Sequence, residues 1–210
     1  GFSLKDCVSF VAGHSLGEYS ALAAAGALSL ADTARLLKTR GRAMQAAVPV
    51  GQGAMAALLG AELPQAQELA KAASDGEVCA AANDNAPGQV VISGTRTAIE
   101  RAVALAPKYG SRRAVLLPVS APFHCALMQQ AADVMSEVLS QVTISAPAMP
   151  LVANVLASAI SDPDAIRARL IEQLDRSRAE LARQAAVERA LLEITAEINA
   201  VRDPEEVLHR

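Results

Sequence analysis

One segment constrains the fold more than any other. The apolar run Val8-Ser9-Phe10-Val11-Ala12 stops at Gly13-His14-Ser15-Leu16-Gly17, and Glu18-Tyr19 leads at once into an alanine-rich stretch. The order predicts a buried strand over 7–12, a sharp turn, and a helix over 15–26. Glycines at 13 and 17 predict a turn too tight for a Cβ. Such a turn lifts Ser15 out of a sheet and over a helix N-terminus. There the helix dipole and free N–H groups favour developing negative charge. Ser15 is thus a candidate nucleophile. A Gly/Ser turn whose serine only caps the helix fits the same pentapeptide.

Composition removes several function classes. A net charge of -3 gives no basic field for nucleic acid. Cys7, Cys79 and Cys125 lack metal-ligand spacing and cannot all pair, which predicts reduced thiols in a cytoplasm and no metal site. The first six residues lack the pattern of a signal peptide, and no apolar stretch is long enough to span a bilayer. The first residue is not Met and a core strand follows almost immediately, so a cut N-terminus is expected.

The 210 residues divide into parts. Ser29-Leu30-Ala31-Asp32 opens a second helix in the manner of a capping box, running to about Ala47 and stopping before Pro49. Ala34, Leu37 and Met44 are expected to face inward, with Arg35, Lys38, Arg40 and Arg42 spread around the rest. From Gly51 to Pro118 the pattern reads strand 55–59, helix 64–73, strands 78–82 and 89–93 around a turn with Asn83, Asn85, Pro87 and Gly88, helix 97–106 and strand 114–117. This β-α-β-β-α-β order predicts a ferredoxin-like subdomain inserted into a larger one. Ala121-Pro122-Phe123-His124 then precedes an amphipathic helix over about 125–139. His124 is the best candidate for a base, although a lone histidine is more often structural.

These stretches resemble the malonyl-CoA:acyl carrier protein transacylase family of acyltransferases. The matching residues are Ala12-Gly13-His14-Ser15-Leu16-Gly17-Glu18-Tyr19-Ser20-Ala21-Leu22, Arg40-Gly41, Gly53-Ala54-Met55-Ala56-Ala57, the run from Asn83-Asp84-Asn85 to Ser93-Gly94, and Leu117-Pro118-Val119-Ser120-Ala121-Pro122-Phe123-His124. They follow the family's order and spacing over residues 8 to about 172. The resemblance implies an α/β fold with a hydrolase-like parallel-sheet core, here incomplete, over 1–50 and 118–174, and a ferredoxin-like subdomain over 51–117. It implies ping-pong acyl transfer: Ser15 attacks a malonyl thioester with His124 as general base, then passes the acyl group to the phosphopantetheine thiol of acyl carrier protein. Backbone carbonyls usually orient the family's histidine. Arg40 matches the arginine that grips the malonyl carboxylate, a pairing suited to a planar guanidinium. Without the match, Arg40 reads as a solvated helix charge. Phe123 resembles the malonyl-selective form of its motif. His14 beside the serine joins the substrate-binding residues, and Asn85 either lines the pocket or only makes a turn. Coenzyme A thioester is the substrate and no cofactor is implied; the enzyme would act in fatty-acid synthesis in the cytoplasm, away from nucleic acid and membrane.

Two departures stand out. The family carries a Gly-Gln-Gly loop well upstream of its serine, which helps form the oxyanion hole. No such segment precedes Ser15 here, and Gly51-Gln52-Gly53 aligns with the start of the small subdomain instead. The backbone N–H of Leu16 is then the remaining oxyanion donor, which predicts weak turnover. Residues 175–210 also depart: Val187, Leu191, Ile194, Ile198 and Val201 form an a/d stripe, predicting a helical tail suited to self-association. Besides acyltransferase, an inactive or weakly active fragment that associates through this helix, or a serine hydrolase, stays open.

Overall fold

The computed structural model describes Leu4 and residues 7–174. The predicted tail helix and its pairing stripe lie outside the described residues.

The anticipated first strand is reduced to one parallel bridge between Val11 and Leu151. Val11 donates to the Pro150 carbonyl at 3.0 Å and accepts from Val152 at 2.9 Å. A strand exists only through its pairing, and Val8 and Phe10 are left exposed. The elbow helix α1 spans Gly17–Ala24, shorter than expected, and ends where Gly26 takes φ +72°. Helix α2, Leu30–Ala47, is capped by Ser29, whose Oγ accepts from the Asp32 N–H at 3.0 Å. Its buried stripe is Thr33, Leu36, Arg40 and Met44, whereas Ala34 is exposed and Leu37 half-buried. The inward face is therefore rotated from the expected one. A charged residue occupies a core position that an apolar-periodicity rule assigns to solvent.

The middle segment has the expected β-α-β-β-α-β order. It runs β1 Gly53–Leu59, α3 Leu63–Ser74, β2 Cys79–Ala86, β3 Gln89–Thr95, α4 Arg96–Leu105 and β4 Arg113–Leu116. The sheet order is β2-β3-β1-β4, with every neighbouring pair antiparallel. Ala56 and Leu58 of β1 and Val90 and Ile92 of β3 lie on the face that packs on α3 and α4. Met55, Ala82 and Val91 lie on the other face, against Leu117 and Phe123. The expected turn at 83–88 shrinks to Pro87-Gly88, because β2 continues through Asn83 and Asn85 with register shifts between Ala81 and Asn83 and between Asp84 and Ala86. Bulges of this kind let a strand carry polar residues while turning their side chains.

The rest of the chain returns to the first core. A 3-10 turn over Ala126–Met128 leads into α5, Gln129–Ser140. A short antiparallel hairpin follows, β5 Leu151–Ala153 with β6 Ser158–Ile160, and then α6, Pro163–Glu172. Tyr19, Leu22, Leu36, Met128, Met135, Leu139, Leu151, Ile166 and Leu170 are all fully buried in this core. The chain enters and leaves the four-stranded unit at one place. A Cβ on Gly53 would come within 2.3 Å of the Pro122 ring. Among the described residues, no helix is long and apolar enough to cross a membrane.

Candidate active site

The elbow turns as the sequence requires, but only one of its glycines is needed for space. A Cβ on Gly13 would run into the Gly17 backbone, whereas one on Gly17 would meet open space. Ser15 itself adopts φ +54°. Its N–H donates to Asn154 Oδ1 at 2.7 Å, and Asn154 Nδ2 donates to the Gly13 carbonyl at 2.7 Å. One asparagine side chain, from just after β5, thus spans the turn. His124 also sits in the left-handed region, at φ +58°, and Ala157 at +51°. All three line the same cavity. Such backbone costs on the order of 1–3 kcal/mol per residue and gathers where a site must be held in one geometry.

Ser15 Oγ lies 3.2 Å from His124 Nε2. On the far side of the ring, His124 Nδ1 is 2.8 Å from the Gln173 carbonyl oxygen. A carbonyl only accepts, so Nδ1 carries the proton and Nε2 turns its lone pair to the serine. The histidine is therefore buttressed within the described residues, by the chain just past α6. The same Ser15 Oγ accepts from an Arg40 NH2 at 2.9 Å, leaving its own proton for His124. Arg40 also donates to Gln173 Oε1 at 3.1 Å and lies over the Tyr19 ring, 5.8 Å from the ring centre. Its Nε is buried with no partner among the described residues. Burial lowers its pKa, opposed by the nearby Tyr19 and Glu18. Tyr19 is pushed up to about 12 by burial.

Glu18 closes the network from below. It is fully buried. Its Oε1 accepts from the Asn154 N–H at 3.3 Å, and its Oε2 accepts from Gln173 Nε2. Burial raises its pKa to about 7, against the pull of the Asn154 and Gln173 bonds and the Arg40 charge.

The cavity is about 400 Å³. Ser15, His14, His124, Asn154 and Gln173 line it together with Ala82, Asn83 and Asp84 of β2. Asn85 is exposed and is not on the wall. Phe123 is half-buried between the two cores and also lies off the wall. Arg40 is buried behind Ser15. The Leu16 side chain is exposed, and its N–H meets no acceptor among the described residues. Among those residues, no group of three or more His, Cys, Asp or Glu could hold a metal ion.

Asn154, Gln173 and Glu18 were not anticipated from the sequence. The signal for Asn154 was a lone amide inside the apolar run Leu151-Val152-Ala153-Asn154-Val155. Glu18 stood within the quoted motif, and burial alone gives it a role.

A family model described as an acyl transferase domain matches residues 8–201. The chain belongs to the acyl transferase domain family. Similar members include the malonyl CoA-acyl carrier protein transacylase of Escherichia coli K12, 48% identical over 164 residues, covering 78% of this chain and 53% of that protein. A crystal structure of an acyl-carrier-protein-S-malonyltransferase from Bartonella henselae is 54% identical, with a TM-score of 0.80 over 83% of this chain and 55% of that one. Another similar structure holds a malonyl-transacylase in complex with a type II PKS acyl-carrier protein. It is 42% identical, with a TM-score of 0.77 over 80% of this chain and 54% of that one. The chain spans about half the length of the curated relatives it matches.

Proposed function

We propose that this acyltransferase chain carries the nucleophile, base and carboxylate grip for moving a malonyl group from coenzyme A to the phosphopantetheine thiol of acyl carrier protein, in fatty-acid synthesis in the cytoplasm. One observation carries the reading: Ser15 Oγ is within hydrogen-bond reach of His124 Nε2 and of Arg40 at once. A base activates the serine, and a cation beside it suits an acyl group that bears its own carboxylate. A hydrolase of neutral esters has no use for that cation. The names of the related proteins, and their structures, support the same substrate pair.

In the first half-reaction Ser15 Oγ bonds the thioester carbonyl carbon while His124 Nε2 takes the hydroxyl proton. The Gln173 carbonyl holds Nδ1–H and so supports the imidazolium that forms. The Leu16 N–H, at the head of α1, is the donor offered to the oxyanion. The carbon–sulfur bond then breaks, and His124 returns its proton to the departing thiol. The second half-reaction runs the same steps in reverse with the carrier's thiol as nucleophile. Arg40 holds the free carboxylate throughout.

The finer architecture belongs to this reading. Residues 1–50 and 118–174 form a partial hydrolase-like core, whose parallel pairing survives at Val11 and Leu151. Residues 51–117 form a ferredoxin-like subdomain, supported by the element and strand order above. His14 contributes to the acyl pocket wall, and Phe123 acts on acyl selectivity from behind it.

The deciding experiment is incubation with radiolabelled malonyl-CoA, followed by mapping of the adduct. One label per chain, on Ser15, is expected. Labelling that persists in Ser15→Ala would overturn the assignment.

A further inference from the structure

One buried ionisable group has no part in the chemistry above. Glu18 is fully buried on the first turn of α1, yet touches no reacting atom. Its two oxygens are spent on two N–H donors: the backbone of Asn154, which braces the elbow, and the side-chain amide of Gln173.

The amide orientation of Gln173 matters. Arginine has donors and no acceptor, so the Gln173 atom facing Arg40 must be its oxygen. Nε2 then faces the other way and needs an acceptor, which an ionised carboxylate supplies. If the group facing Nε2 became a donor, the amide would turn over and present N–H to a guanidinium. Arg40 would lose its partner at 3.1 Å. His124 is held by the backbone carbonyl of the same residue, a bond that does not depend on which way the side-chain amide faces, so the base keeps its anchor when the amide turns.

We propose that Glu18 is a positioning residue for acyl transfer: as a buried acceptor it fixes the Gln173 amide, and through it holds Arg40 in place beside Ser15. Protonation would leave Glu18 one full acceptor for two N–H donors, so it would loosen either the Asn154 brace or the Gln173 amide. The charged or titratable groups turned toward Glu18 are Arg40 from α2, Tyr19 from its own helix and, through Gln173, His124. Asn154 and Gln173 bring neutral amides from the other two sides. Arg40 favours the anion and burial opposes it, which leaves Glu18 poised near neutrality.

Glu18→Gln is the test, because it keeps size and shape but offers one acceptor where two N–H donors, those of Asn154 and Gln173 Nε2, now bond. The kinetic arm rests on the acyl-transfer reading. It expects KM for malonyl-CoA to rise tenfold or more, kcat to stay within about threefold, and acetyl-CoA transfer to be unchanged. His124 keeps its own acid limb with either substrate, so the expectation is that any further acid loss seen with malonyl-CoA but not with acetyl-CoA vanishes. Glu18→Gln with Gln173→Glu restores an acceptor toward Arg40 and should recover most of the KM loss. A KM and acid limb equal to the parent protein's would overturn the proposal, as would equal losses on both substrates. A second arm needs no turnover. In the full chain the Gln173 side-chain amide resonance, assigned by its loss in Gln173→Leu, should move with the Glu18 carboxyl on titration. It should stay still in Glu18→Gln. Independent titration of the two would sink the inference. A parent protein that takes no malonyl label, but shows the coupled titration, fails the acyl-transfer reading and keeps this one.

Discussion

The Cβ that Gly13 lacks would lie 2.0 Å from the carbonyl oxygen of Gly17. The clash is with backbone, so no side chain can move aside. Gly13→Ala must displace the elbow, with Ser15 on it. A loss of about 2 kcal/mol or more is expected, along with loss of serine labelling. Gly17→Ala has open space and a helical setting, so it should be neutral or stabilising by up to about 1 kcal/mol. Urea melts of the two variants check the contrast.

His124→Ala removes the lone pair facing Ser15 Oγ. Acylation should slow by roughly a hundredfold or more, the usual worth of a positioned general base. Removing the ring also takes the Nδ1–H donor from the Gln173 carbonyl, so the melt is measured beside the rate. A variant that labels at the parent rate would remove His124 from the reaction.

Arg40 sits where its charge is costly and its donors are directed at the serine and at Gln173. Arg40→Ala should lower transfer from malonyl-CoA and spare or raise that from acetyl-CoA. Arg40→Lys keeps charge but not the planar fork, and should recover little. Equal losses on both substrates would make Arg40 structural.

Glu18 also links stability to pH. Its carboxyl titrates at about 7 when folded against 4.5 unfolded. Between those values the folded chain holds more protons, so stability falls as pH rises from about 4.5 to about 7. The total is roughly 3 kcal/mol. Denaturant melts across that range should show the decline, and Glu18→Gln should flatten it. A parent curve that rises over the same range would contradict the shift.

What could be read from the sequence followed the range of each signal. Ser15 and His124 were legible because both belong to short runs whose local geometry is fixed by Gly13 and by Pro122. The four-stranded unit was legible because alternation and turn residues are local. Arg40 was visible as a match but not as a buried residue: periodicity counts apolar side chains, and the stripe Thr33, Leu36, Arg40, Met44 contains only two. Gln173 and Asn154 reach the elbow across 155 and 139 residues, to Glu18 and Ser15. Nothing local marks such partners. The strand at 7–12 had the right composition, but pairing, not composition, makes a strand. The cavity wall shifted from Asn85 to Asn83 and Asp84 because bulges in β2 change which side chains point inward.

The contact between Gly53 and Pro122 has a wider consequence. The two points where the chain passes into and out of the four-stranded unit touch, so the unit is attached as a cassette on a single stem. Residues 54–121 could be replaced by a short linker without stretching the remaining chain, since closing so small a gap costs little entropy. Tilting the cassette about this stem would move Asn83 and Asp84 relative to Ser15 and change the width of the cleft, while the serine, histidine and arginine stay together on the other side.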